Sequence, residues 1–319
     1  MTDVLNTVAP VFGLIILGWI SARIGLLDEA ADRGLASFVF TIAMPALLFR
    51  TMATVRMPEG SSVDLLIAFM GSAAITWCAA TLATTALLAR PRPDSASIGM
   101  GATFGNTVMM GIPLAVGHYG EAAVGPLAVV VAVHAPVMWI IATLQNEALR
   151  SNSAASQEIA TRNKVDVVRG LVGDLARNPI LIGIIAGSIW RTTGLEIPET
   201  PDKIISYLAA AGIPGALFAL GLSLAKYRIT GQGATLVTMT VLKLLVMPLA
   251  AWAIGALVLD LPPLWLGVAV ILAAVPTGAN AFLFASRYDS AVASVSGTVA
   301  LSTLLSMITI TALLSVLPR

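Results

Sequence analysis

Ten apolar runs follow one another through this chain, separated by short polar stretches, and nearly all approach or exceed the ~20 residues a helix needs to cross a bilayer. They are Val4–Ile24, Gly34–Met52, Leu65–Ala89, Ala96–Val116, Ala122–Leu144, Asn178–Leu195, Ile204–Ala225, Ala234–Leu259, Leu264–Ser286 and Ala291–Leu317. No other feature limits the fold so strongly. Hydrocarbon offers a backbone amide no water, so each crossing must satisfy its own hydrogen bonds, as a helix does. Charged residues make up 11% of the chain, against about 25% in soluble domains. The mean hydropathy is +0.90. The expectation is an all-α, multi-pass protein of the cell membrane, with lipid against much of its surface.

The same composition removes several function classes. A net charge of +1 gives no field that would draw nucleic acid. One cysteine, Cys78, rules out an internal disulfide and any cysteine-based metal centre. The first run has an Asp and no Lys or Arg before it, unlike a signal peptide, so it reads as a retained helix. Catalysis would need a nucleophile with its base or a set of metal ligands. The two histidines, His118 and His134, are not four residues apart, and neither HExxH nor a phosphate-cradling glycine loop with Lys occurs. No cofactor or metal is expected. An intramembrane enzyme or a sensor is the lesser alternative to a carrier.

An internal repeat organises the ten runs. At one constant offset, the repeat interval, Pro10 meets Pro179, Gly18 meets Gly187, Gly25 and Leu26 meet Gly194 and Leu195, and Tyr119 meets Tyr288. "MPALLF" from Met44 falls on "IPGALF" from Ile213, prolines aligned. Shared Pro and Gly positions weigh most because they control backbone shape. The match also rescues the sixth run, whose core "PILIGIIAGSIW" is short for a span. Five helices per half is odd, so the second half enters the membrane from the opposite side, an inverted repeat of the kind found in secondary transporters. Residues 1–144 form the first repeat, 145–177 a cytoplasmic linker and 178–319 the second. Odd-numbered loops carry twelve Lys and Arg against five in the even-numbered loops and tail, which places both termini outside.

Two runs are interrupted by residues that do not belong in a plain span. The fourth contains "GNTVMMGIP", with Asn106, Thr107, Gly111 and Pro113; the ninth contains "AVPTGANAF", with Pro276, Thr277, Gly278 and Asn280. A proline removes one helical bond and clashes with the preceding turn, and a nearby glycine lets the chain open. Each helix is expected to split, with Pro113 in the first turn of a restarted helix. The freed amides and positive half-helix ends would converge near the midplane on an anion. The Asn amides would donate to its carboxylate. Pro45, Pro136, Pro214 and Pro248 read as kinks or first-turn residues.

These paired motifs, "FGNTVMMGIPLAVGHYG" and "AAVPTGANAFLFASRYD", resemble the crossovers of the auxin efflux carrier family, and the likeness covers essentially the whole chain. The resemblance implies an elevator-like carrier. Helices one, two, six and seven would form the scaffold, as a homodimer, and helices three to five and eight to ten the moving transport domain. It also maps Asn106, Pro113, Pro276 and Asn280 to the crossover that holds a small organic anion, and it leaves the substrate open. Bacterial members include proteins assigned to malonate transport.

Two titratable side chains lie deep in apolar runs and are candidates for the same site. Lys243 is about nine residues, roughly 14 Å, inside the eighth run. It either snorkels to the cytoplasmic interface or meets a substrate carboxylate. His134 either assists there as a cation or is a neutral, hydrogen-bonded core histidine. No acid lies mid-span, which places cation/proton antiport well below anion transport. A sodium-coupled symporter of bile-acid-transporter type is the main alternative, since Thr107, Thr277 and loosened carbonyls would suit Na⁺.

Overall fold

The computed structural model describes residues 2–54, 59–150, 177–229 and 231–318, and among these the structure is helical throughout, with one isolated β-bridge. Twelve elements carry it: α1 Thr2–Arg23, α2 Glu29–Thr54, α3 Ser62–Ala86, α4 Asp94–Thr103, α5 Ile112–Tyr119, α6 Val124–Arg150, α7 Pro179–Thr192, α8 Glu199–Leu224, α9 Gly233–Val258, α10 Pro263–Ala274, α11 Ala279–Arg287 and α12 Val292–Val316. Six helical stretches are long and apolar enough to cross a membrane: α2, α3, α8, α9, α12 and the stretch Thr107–Leu149. Shorter apolar helices occur at Val8–Arg23, Pro179–Thr192 and Pro263–Ala274. The short sixth run is thus a helix, α7, starting on Asn178, whose side chain accepts from the amides of Ile180 and Leu181. The helix expected to end at Leu144 continues to Arg150, and the rest of the linker up to residue 176 lies outside the described residues.

Local chemistry explains how three of the helices absorb a proline. Val39–Ala43, Thr107–Gly111 and Leu242–Val246 each form a five-residue π-turn, and each is followed, one residue later, by Pro45, Pro113 or Pro248. A proline ring would strike the carbonyl four residues back. The wider turn moves that carbonyl aside: the amides of Met44, Ile112 and Met247 reach back five residues to Val39, Thr107 and Leu242. The sequence predicts Pro113 in the first turn of a restarted helix. Pro113 is the second residue of α5, in its first turn as expected, and the π-turn Thr107–Gly111 leads into that helix and moves the clashing carbonyl aside.

Left-handed corners recur at the repeat interval. Gly25 and Gly194 have φ of 73° and 69°, and Gly120 and Asp289 have φ of 68° and 47°; both pairs share the offset that aligns Pro10 with Pro179. Ala89 and Asp260, at 48° and 47°, come close to the same offset. Packing repeats as well. α1 lies along α8 and α7 along α2, so closely that a β-carbon on Gly18 would strike the Phe218 carbonyl and one on Gly187 the Phe49 carbonyl. The repeat interval carries Gly18 to Gly187 and Phe49 to Phe218, so the second contact is the image of the first.

α2 and α8 run antiparallel against each other and carry an ion pair at each end of the crossing. Arg50 near the end of α2 grips Asp202 in the first turn of α8 through two bonds of 2.8 and 3.1 Å. Asp32 in the first turn of α2 meets Lys226 just beyond α8 at 2.7 Å. The remaining elements pack chiefly among themselves: α3 against α4, α6, α9 and α10, and α12 against α9, α11 and α4. Gln145 of α6 ties three of them at one end, accepting from the Trp77 indole at 2.5 Å and donating to Ser95 at 2.8 Å.

Candidate functional site

α4, "DSASIGMGAT", consists largely of small residues, and every one from Ser95 to Thr103 is buried. Its glycines let neighbours close in, Trp77 over Gly99 and the Met239 sulfur over Gly101. The helix ends when Phe104 turns extended (ψ 98°), and Gly105 and Asn106 carry the chain across before the π-turn begins. α10 is equally buried from Gly267 onward. It ends at Val275 (ψ 147°), because a residue before proline is pushed out of the helical region and Pro276 follows. Gly278 is also extended, and α11 starts at Ala279.

The two breaks meet. Gly105 and Thr277 pair in an antiparallel bridge, the Asn106 amide donating to the Pro276 carbonyl and the Gly278 amide to the Phe104 carbonyl, both at 2.8 Å. Neither break therefore leaves these central groups orphaned, as burial in an apolar bundle requires. A β-carbon on Gly278 would lie 3.2 Å from the Asn106 nitrogen and the Gly105 oxygen, so glycine is what permits the strands to cross this closely. Thr277 fastens the crossing at both ends: its amide donates to the Ser302 hydroxyl of α12 (3.1 Å) and its hydroxyl to the Gly101 carbonyl of α4 (2.7 Å).

Two sets of amides remain open. The first amides after the first break, on Thr107, Val108 and Met109, and those of Ala279 and Asn280 after the second make no hydrogen bond among the described residues. Both sets carry the positive end of a helical segment. The Asn106 side chain is half-buried and that of Asn280 exposed, and neither amide group is engaged by another described residue. Thr107 is buried. Gly111 and Pro113 are buried one to two turns on, where a β-carbon on Gly111 would strike Leu272; they shape the first half-helix from behind the bridge.

Of the two roles expected from sequence, Lys243 does not take the snorkelling one. Its side chain is fully buried rather than snorkelling, and Nζ donates to the Ala273 carbonyl at 2.5 Å, with the Met247 sulfur 3.3 Å away. Ala273 is the penultimate residue of α10, where a helix leaves its last carbonyls unpaired. The ammonium thus closes the negative end of a half-helix, and a β-carbon on Gly105 would sit 3.2 Å from it. His134 departs from expectation as well. It is buried, but instead of the hydrogen bonds of a core histidine both ring nitrogens lack a partner among the described residues. The ring stacks on Phe104, beside the bridge, at 4.6 Å and meets Phe69 edge-on at 5.2 Å.

Asn106, Thr107, Pro276, Thr277, Gly278 and Lys243 are thus brought together, with Asn280 three residues beyond Thr277 of the bridge. Sequence reasoning passes over Phe104 and Ser302, and takes Gly105 only as the first residue of the broken stretch. Only Ser302 carried a readable signal: Ser294, Thr298, Ser302 and Ser306 recur every four residues and are all buried.

The chain can now be set beside known proteins. A family profile described as a membrane transport protein matches residues 3–314. A Rhizobium meliloti (strain 1021) protein whose name proposes malonate transport is 28% identical over 98% of this chain and 96% of its own. Auxin efflux carrier component 5 of Arabidopsis thaliana is 30% identical over 58% of this chain and 60% of that carrier. The lysosomal cholesterol signaling protein of Mus musculus is 25% identical over 75% of this chain, which covers 28% of its length. With a family match that spans nearly every residue described above, the chain belongs to the membrane transport protein family that includes the auxin efflux carriers.

Proposed function

We propose that this transporter is a secondary carrier of a small organic anion, a carboxylate, bound where the two broken helices cross. One observation carries the reading: two sets of open amides and two unengaged Asn side chains flank a bridge that holds no carboxylate of its own. Such a cluster stabilises negative charge. The relative whose name proposes malonate transport is consistent with it.

The architecture proposed is ten crossings in two inverted repeats. Its supports are the corners and glycine contacts recurring at the repeat interval and the antiparallel α2–α8 pair pinned at both ends. α1, α2, α7 and α8 would be the scaffold; α3–α6 and α9–α12 would carry the crossing as a moving unit, in an elevator motion. The packing of each group chiefly within itself supports that division. The scaffold helices present apolar side chains outward, among them Leu17, Ile20, Ile185 and Ile189, for lipid or for a second copy in a homodimer. Both termini would face outside.

Uptake of a labelled carboxylate panel into liposomes tests the function. The expected result is saturable uptake of at least one small carboxylate, weakened by about 1–2 kcal/mol in binding when Asn106 or Asn280 becomes Ala. Wild-type protein that moves only cations, or Asn variants indistinguishable from wild type for every anion carried, would contradict it.

A further inference from the structure

The two half-helices that leave the crossing differ in what covers them. α5 packs against α1 and α8, helices of the proposed scaffold, whereas α11 packs chiefly against α12 and α4 of its own group. The repeat interval that aligns Tyr119 with Tyr288 also aligns Leu114 with Leu283 and His118 with Arg287. Leu114 and His118 are buried; Leu283 and Arg287 are exposed. One half-helix is thus sheathed and its image is bare.

The bare face is continuous. Ala279, Asn280, Leu283, Ser286 and Arg287 are all exposed and fall within about a third of the circumference of α11, while Ala281, Phe284 and Ala285 on the opposite side are buried. Three of the five exposed residues are polar. α12 shows what a face turned to lipid carries instead, Leu304, Leu305 and Ile308. An Asn side chain and open amides in mid-span are costly against hydrocarbon, so the face of α11 looks onto water. Phe282 marks one edge of it, and there the ring of Tyr227, just beyond α8, meets Phe282 edge-on at 5.5 Å. The far end lies beside the start of the linker: the Tyr288 hydroxyl is 3.5 Å from that of Thr143 near the end of α6, and Ser290 donates to Asp94 at the start of α4 at 2.7 Å.

Arg287 stands at that far end, seven residues and about 10 Å along the face from Asn280. It makes no ion pair among the described residues, and its guanidinium lies 5.9 Å from the centre of the Tyr288 ring. Building on the anion-carrier reading above, we infer that the bare face of α11 walls an entry path from the linker side, and that Arg287 is an anion-capture site at its mouth, met by the substrate before it reaches Asn280. A cation at the rim of a cleft with low-dielectric walls concentrates anions there and speeds their arrival. The path is close in length to the screening distance of physiological salt, about 8 Å, so the effect fades as salt is raised. A basic residue in the last turn of a helix also offsets the helix dipole, but that role has no sidedness in transport, whereas capture does.

Two measurements on full-length protein in liposomes test this. In a Cys78→Ala background, a charged, water-soluble thiol reagent should label Leu283→Cys about tenfold faster than Leu304→Cys, a position as exposed (57% against 53%) but on the apolar face of α12. A common rate for both places Leu283 in lipid and overturns the path. Transport is then followed with labelled malonate, or with whichever carboxylate the wild type carries, in vesicles sorted by orientation through a tag at the C-terminal end, which lies at the opposite end of α12 from the mouth. Arg287→Gln should raise the half-saturating concentration about three- to tenfold for entry at the linker end, with the difference shrinking at high salt, and Arg287→Lys should keep the wild-type value. Entry at the opposite end should change by less than about twofold. Equal losses at both ends, or wild-type kinetics of Arg287→Gln at the linker end in low salt, overturn Arg287 as the capture site and leave the carrier reading intact. Wild type that moves no carboxylate removes the carrier reading and the capture site with it, while the thiol labelling still decides the path.

Discussion

The two interrupted helices meet at one bridge, yet their carbonyl ends are closed by different chemistry. At the end of α4 the Gly101 carbonyl accepts from a neutral hydroxyl, that of Thr277 in the opposite break. At the end of α10 the Ala273 carbonyl accepts from the ammonium of Lys243, delivered by a third helix. The repeat interval puts Ala74 in the place equivalent to Lys243, and alanine can offer nothing comparable. Two similar backbones thus carry unlike charge. The repeated elements set where the crossing lies, and the one unrepeated lysine gives the α10 end a charged cap that the α4 end lacks.

That contrast can be attacked directly. Removing the charged cap should cost most: Lys243→Met leaves a buried carbonyl without its donor and should lower unfolding stability by about 2–3 kcal/mol. Thr277→Val, which removes the neutral cap on the other side, should cost about 1–2 kcal/mol. Denaturant titration of the two variants in one detergent ranks them, and equal losses would mean that the charge on the α10 side adds nothing.

A second contrast concerns the glycines at the bridge. The β-carbon of a Gly278→Ala variant would press on backbone atoms of the first break at 3.2 Å, which have little room to move. In Gly105→Ala it would press on the ends of the Val275 and Lys243 side chains, at 2.9 and 3.2 Å, which can swing aside. Overpacking costs about 1–3 kcal/mol, and Gly278→Ala should fall at the upper end and Gly105→Ala at the lower. Thermal midpoints in the reverse order would show that the strands, not the side chains, yield.

The smallest effects belong to the α2–α8 ion pairs, which sit outside the crossing. Arg50→Ala and Lys226→Ala should each cost about 0.2–1 kcal/mol, since both pairs are partly open to solvent. Their loss should leave anion affinity unchanged. A change in affinity would tie the α2–α8 pair to the site more tightly than the packing implies.

Much of this was legible in the sequence because prolines and glycines dictate backbone shape. Pro276 forces Val275 out of the helix, Gly278 permits the close crossing, and both breaks fall where "GNTVMMGIP" and "AVPTGANAF" predict them. What escaped was set by partners distant in the chain. The acceptor of Lys243 is a main-chain carbonyl on α10, well beyond its own helix, and no side-chain pattern announces it. The aromatic surroundings of His134 come from Phe69 and Phe104 on two other elements. The bridge pairs Gly105 with Thr277, whereas the repeat interval matches Gly105 to Ala274, so the interval alone would misplace the crossing by about a turn. Residues 151–176 of the expected linker lie outside the described structure.

The central claim, that an organic anion sits at the open amides beside the bridge, is most directly tested by substrate protection. Cys78 is the sole cysteine, so Cys78→Ala supplies a background without thiols, and Ala279→Cys then places one at the first, exposed residue of α11. The rate at which a small thiol reagent labels position 279 is measured as malonate is raised, with Leu82→Cys, an exposed position on α3, as the control. The account predicts saturable slowing at 279, with a midpoint that matches half-maximal uptake, and no change at 82. Labelling at 279 that stays constant through concentrations saturating transport would contradict it.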